Sequence, residues 1–205
     1  MSKISILKKL ALIAAGAMIL PAFAAAEIKM GIILGFTGPI ESLTPDMGSS
    51  AELAFKEASD SGQLLGGQKI SVVRADSTCI DAAAASAAAE RLITSDKVAG
   101  IMGADCSGVT TAIANNVAVP NGVTMISPSA TSPGLTSIDD NGVFFRTAPS
   151  DARQGVVLAD IVMARGIDTV AVTYTNNDYG KGLADAFSTA YRAAGGTITM
   201  ETAHE

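Results

Sequence analysis

From Ile28 onward, short apolar runs alternate with longer stretches of helical periodicity, and this rhythm constrains the fold more than any other feature of the chain. The run "IKMGIILG" (28–35) reads as a buried strand, and "GFTGPIESLTPDMG" (35–48) as a loop. A helix is predicted from Gly48 to Ser61, where Ala51, Ala54, Phe55 and Ala58 share one face. The pattern then repeats. Strand "ISVVRA" (70–75) leads to an alanine-rich helix over 81–95, strand "VAGIMG" (98–103) to a helix over 107–117, and "VTMIS" (123–127) is a fourth strand. Strands and helices alternating at this length build βαβ units, so the expected class is α/β, with a parallel sheet flanked by helices. In such sheets ligands sit beyond the carboxyl ends of the strands.

A turn-rich stretch, 128–142, and an extended segment, 143–151, interrupt the rhythm. It restarts with a helix over 153–165, a strand at 169–174, a helix over 182–194 and a strand at 197–201. This predicts a first unit over 27–147 and a second over 148–205. Two strands and two helices are few for a free-standing core, so the second unit is read as incomplete.

Residues 1–26 are read as a separate segment. Lys3, Lys8 and Lys9 precede an apolar run from Leu10 to Leu20, and small residues follow it, which is the order of a cleaved secretory signal. Removing the three lysines takes the net charge of -6 to -9. An acidic chain without clustered Lys and Arg is not expected to bind nucleic acid. Export with no second apolar span predicts a soluble periplasmic protein in a compartment where disulfides persist.

The two cysteines could be a nucleophile, a metal ligand or a staple. A catalytic thiol needs a base, and the only histidine, His204, lies at the ragged C-terminal end. A zinc site needs about four clustered ligands, which two cysteines 27 positions apart do not supply. Cys79 and Cys106 each lie just past a strand, at ends that can lie side by side, so a disulfide is expected. No P-loop or dinucleotide fingerprint is present, "YGKGLA" (179–184) reads as a strand-to-helix turn, and neither catalytic residues, a metal nor a cofactor is predicted. Two polar stretches remain. Ser107 opens a helix directly after a strand and reads as its cap, and "SPSAT" (127–131) follows the neighbouring strand at the same edge. Each alone is ordinary turn or cap chemistry, whereas together they favour a small zwitterionic ligand.

The blocks "GPI" (38–40), "CSGVTT" (106–111), "MISPSATSPGLT" (125–136), "FFRTAPSD" (144–151) and "NNDYGKGLA" (176–184), in that order with Cys79, resemble the periplasmic leucine/isoleucine/valine-binding proteins. These are the substrate-binding components of branched-chain amino-acid ABC transporters. The resemblance implies a two-lobed fold that closes on its ligand, with a first hinge crossing at Arg146 to Asp151 and the Cys79–Cys106 pair. It implies that Ser107 and Thr131 bind the ligand carboxylate, that Ser129 and Ala130 add main-chain contacts, and that Tyr179 reaches across from the second lobe. It also implies a membrane permease as partner, a monomer, and an acidic ammonium partner beyond Glu205. The same scaffold could instead take an amide, a urea-like compound or an aromatic acid. The loop at 38–48 is longer than in leucine-type members, with Leu43 and Asp46 as candidates to receive the ligand side chain.

Overall fold

The computed structural model describes residues 27–205, so the signal segment read at 1–26 lies outside the described residues. Five strands form one sheet: β1 (Ile28–Leu34), β2 (Ile70–Asp76), β3 (Gly100–Gly103), β4 (Thr124–Ser127) and β5 (Phe144–Arg146). Their order is β2-β1-β3-β4-β5, and every neighbouring pair is parallel. The helices between them are α1 (Thr44–Asp60), α2 (Ala82–Thr94) and α3 (Ser107–Ile113). From α3 a π-helical turn, Ala114–Ala118, runs into the single turn α4 (Val119–Asn121). One core holds this unit together, with Ile33, Leu92, Ile101 and Met125 fully or almost fully buried. Helix α2 shows why the alanine run is helical: the Asp81 carboxylate accepts the N–H groups of Ala83 and Ala84, each at 3.0 Å. Its buried face, Ala85, Ala89 and Leu92, falls at helical spacing.

Beyond residues 147–150 the chain builds a second, separate pair of parallel strands, β6 (Thr169–Thr175) and β7 (Thr197–His204). Helix α5 (Asp151–Ala164) precedes them and α6 (Asp178–Ala193) connects them. The Ser150 hydroxyl caps α5 through the Ala152 N–H, and Asn177 caps α6 through the Gly180 N–H at 2.8 Å. Ala159, Phe187 and Tyr191 form a small core here, with the two rings stacked at 5.3 Å. No described helix is long and apolar enough to cross a membrane.

Several expected boundaries move. Helix α1 begins at Thr44, not Gly48, because Pro45 sits at its opening turn, where a missing N–H and a preset φ favour a helix start. The loop after β1 is correspondingly shorter than its sequence suggested. Helix α6 begins at Asp178, so "YGKGLA" is part of a helix and not a turn ahead of one. His204 ends β7, where its Nδ1 lies 2.9 Å from the Tyr174 carbonyl oxygen.

Candidate ligand-binding site

The strands of the first sheet end together, and their following loops are drawn into one polar edge. A disulfide joins Cys79 to Cys106, with their Cα atoms 5.2 Å apart. The bridged strands are not adjacent as the sequence suggested: β1 lies between β2 and β3, and the bridge passes over its end. Gly35 leaves the room, since a Cβ there would lie 3.2 Å from the Cys79 Cβ.

Asp105 organises this edge from within. It is 3 % exposed, and its Oδ2 accepts the Gly35 N–H at 2.8 Å. Its Oδ1 accepts the Ser77 hydroxyl and the Cys106 N–H at 3.2 and 3.0 Å. One carboxylate thus ties together the ends of β1, β2 and β3. Asp76 does similar work at the outer strand, accepting the Thr37 hydroxyl at 2.6 Å and the Thr78 N–H at 2.8 Å. Burial pushes its carboxyl up, and the hydrogen bonds from Thr37 and Thr78 outweigh this, leaving it below the usual carboxylate range.

The structure brings four of the five expected ligand residues into this network. Cys106, not Ser107, occupies the cap position of α3. The Ser107 hydroxyl is therefore released from capping its own helix, and it accepts the N–H groups of Thr131 and Ser132 at 3.2 and 3.1 Å. Ser129 donates its hydroxyl to the Asp105 carbonyl at 3.0 Å, and the Ala130 N–H goes to the Ser127 hydroxyl. The Thr131 hydroxyl donates to Asp151 Oδ2 at 2.7 Å. Arg146, at the end of β5, donates to the carbonyls of Ala130 and Ser132 at 3.3 and 2.7 Å. The loop 129–132 is therefore fixed by groups from β5, α3 and α5.

Tyr179, the fifth, is in the first turn of α6 and 46 % exposed. The same helix approaches the loop three residues on. A Cβ on Gly182 would lie 2.7 Å from Pro133 Cδ and 3.0 Å from Ser132 Oγ. Pro133 cannot swing its ring aside, so Gly182→Ala is expected to lower the unfolding free energy by about 1–3 kcal/mol. Urea denaturation checks this, and an unchanged midpoint would show that the contact yields freely.

A hollow of about 700 Å³ lies between the two units, lined by Thr111, Ser132 and Pro133 on one side and by Val156, Lys181 and Ala186 on the other. A second, of about 560 Å³, lies between α1 and the sheet, where Asp46 and Met47 face Met102, Ile126 and Pro128. The candidate Asp46 thus lines the second hollow, whereas Leu43 is exposed. Sequence reasoning missed Asp105 and placed Arg146 and Asp151 only as the ends of the hinge crossing, because Gly35, Ser132 and Thr131, the partners that give these three residues their roles at the edge, are respectively 70, 14 and 20 positions away. The position of Asp105 between a strand and Cys106 was the only local signal.

Polar loops gathered at the carboxyl edge of a parallel sheet, with a second α/β unit against them, are the arrangement in which open α/β sheets place their ligands. The family model described as "Periplasmic binding protein" matches residues 27–205, and the chain belongs to that family. Over 171 residues it is 36% identical to "Leu/Ile/Val-binding protein homolog 3" of Brucella melitensis, covering 83% of this chain and 45% of that protein. Over 179 residues it is 33% identical to "Leu/Ile/Val-binding protein BraC3" of Rhizobium johnstonii, covering 87% of this chain and 47% of that one. The chain therefore spans about half the length of the curated relatives it matches.

Among solved structures, the branched-chain amino acid substrate-binding protein LivJ of Streptococcus pneumoniae, in complex with isoleucine, aligns with a TM-score of 0.74 and 30% identity. That match covers 87% of this chain and 50% of LivJ. A solute-binding protein of Rhodopseudomonas palustris BisB5, in complex with 3,4-dihydroxybenzoic acid, aligns with a TM-score of 0.74 and 25% identity, covering 86% of this chain and 47% of that one.

Proposed function

We propose that the chain forms the first lobe, 27–147, and the beginning of the second lobe, from 148, of a periplasmic solute-binding protein that captures an amino acid of the branched-chain type. It hands this solute to the permease of an ABC transporter and carries out no chemistry on it. Ser107 carries the reading. Its oxygen already accepts two N–H groups, so its own hydrogen is left to donate, and it stands 2 % exposed at the carboxyl edge of the sheet. A donor screened from bulk water is suited to a carboxylate, because the hydrogen bond is stronger at low local dielectric. Ser129, Ala130 and Thr131 shape the loop beside it, and Tyr179, in the first turn of α6, is the residue expected to reach the ligand from the second lobe.

A second reading is supported by the dihydroxybenzoate-bound neighbour: an aromatic acid presents the same carboxylate without an ammonium group. Calorimetric titration of the full-length protein with the twenty amino acids and with hydroxybenzoates separates the two. Submillimolar binding of an aliphatic amino acid is expected, and its absence sinks the main reading. Ser107→Ala removes the donor and strands two N–H groups, so it is expected to weaken binding by about 10- to 100-fold. Undiminished affinity in that variant would remove Ser107 from the site.

A further inference from the structure

Arg146 ends β5 half-buried, and it pairs with no carboxylate among the described residues, whereas Arg74, Arg91 and Arg192 each do. Its hydrogen bonds go to uncharged acceptors. Nη1 donates to the carbonyls of Ala130 and Ser132 at 3.3 and 2.7 Å, and Nη2 donates to the Thr136 hydroxyl at 2.6 Å. The segment 130–132 therefore runs between Arg146 and Ser107. Its Ala130 and Ser132 carbonyls turn to the guanidinium, while the N–H groups of Thr131 and Ser132 turn to the Ser107 hydroxyl. The Ala130 carbonyl and the Thr131 N–H belong to one trans peptide, so they point in opposite directions. A donor on that carbonyl polarises the peptide and strengthens the hydrogen bond its N–H gives.

We propose that Arg146 is a positioning residue for the ligand carboxylate: by holding the Ala130 and Ser132 carbonyls, it keeps two N–H groups on the Ser107 oxygen and so presents the Ser107 hydrogen to the ligand. It does this without touching the ligand. The inference rests on the reading of Ser107 as the ligand's donor and deepens it. A serine hydroxyl left to itself rotates and can donate or accept. Two N–H groups on its oxygen commit it to donating, and they stay there only while the carbonyls behind them are held. Ala130 and Ser132 are 0 % and 5 % exposed, so bulk water has little access to replace the guanidinium. The charge acts in the same direction, because a cation one peptide unit behind the donor polarises the chain of hydrogen bonds toward a negative ligand. Lysine is not equivalent here, since one ammonium does not reproduce the planar fork that spans Ser132 and Thr136.

The test is a double-mutant cycle on the full-length protein, read by calorimetric titration with isoleucine. Arg146→Met is expected to weaken binding about 10-fold with Ser107 in place and less than about twofold in the Ser107→Ala background, because the loss passes through that hydroxyl. A residue that only braced the loop would weaken binding alike in both backgrounds. Arg146→Lys keeps the charge without the fork and should fall between wild type and Arg146→Met. Thr136→Val removes one anchor of the guanidinium from outside the segment 130–132, so it remains informative if Arg146→Met does not fold. Its expected loss is about two- to fivefold, again only with Ser107 present. Equal losses in the two backgrounds, or undiminished affinity in Arg146→Met, overturn the inference while leaving the binding reading intact. Wild type that binds no amino acid, or Ser107→Ala that binds as wild type does, overturns the reading and the inference together.

Discussion

Replacing Cys79 and Cys106 together by serine is expected to lower the unfolding free energy by about 3.5 kcal/mol. The bridge closes a loop of 27 residues, and the chain entropy returned to the unfolded state by opening it has about that size. For a chain of about 200 residues this corresponds to a fall in Tm of roughly 7–14 °C. The effect should extend to the site, because the freed strand ends carry Ser107 and the Thr78–Cys79 turn, where both residues have positive φ. Thermal melts of the oxidised protein, the reduced protein and the double variant check this. The reduced and doubly substituted forms should agree, and a Tm within 2 °C of the oxidised protein would mean that the edge is held without the bridge.

Asp105→Ala is expected to be as damaging, at about 3–5 kcal/mol. It strands the Gly35 N–H, the Ser77 hydroxyl and the Cys106 N–H together, and buried donors without partners lose about 1–3 kcal/mol each before any relaxation. Asp105→Asn keeps the shape but has one acceptor oxygen where the carboxylate has two, so about half of the loss is expected. Urea unfolding of the two variants separates acceptor count from volume. If alanine and asparagine were equally mild, the carboxylate would not be what gathers the three strand ends.

Much of the fold was readable in the chain because parallel strands buried on both faces leave short apolar runs such as "GIIL" and "GIMG", and helices over them leave spaced small residues. The α/β class and the alternation of elements followed from this. Element starts were less readable. The sequence around Thr44 and Pro45 carries turn residues that also open a helix, and the glycines of "YGKGLA" suggested a turn where Gly182 serves close packing on Pro133. Ser107 was legible as a residue at a strand end. Its hydrogen-bond role was not, because a serine at that position reads first as a cap and only its distance to Thr131 and Ser132 assigns it elsewhere.

The sequence by itself determined the β/α rhythm, the two polar loops at one sheet edge and the pairing of its two cysteines, since each depends on local pattern or on residue count. The tertiary structure decided that β1 lies beneath the disulfide, that Asp105 ties three strands, and that Thr131 gives its hydrogen to Asp151. Those facts join residues 20 to 70 positions apart. Hydrogen-bond polarity at a binding edge is set by such distant partners, which no periodicity along the chain encodes.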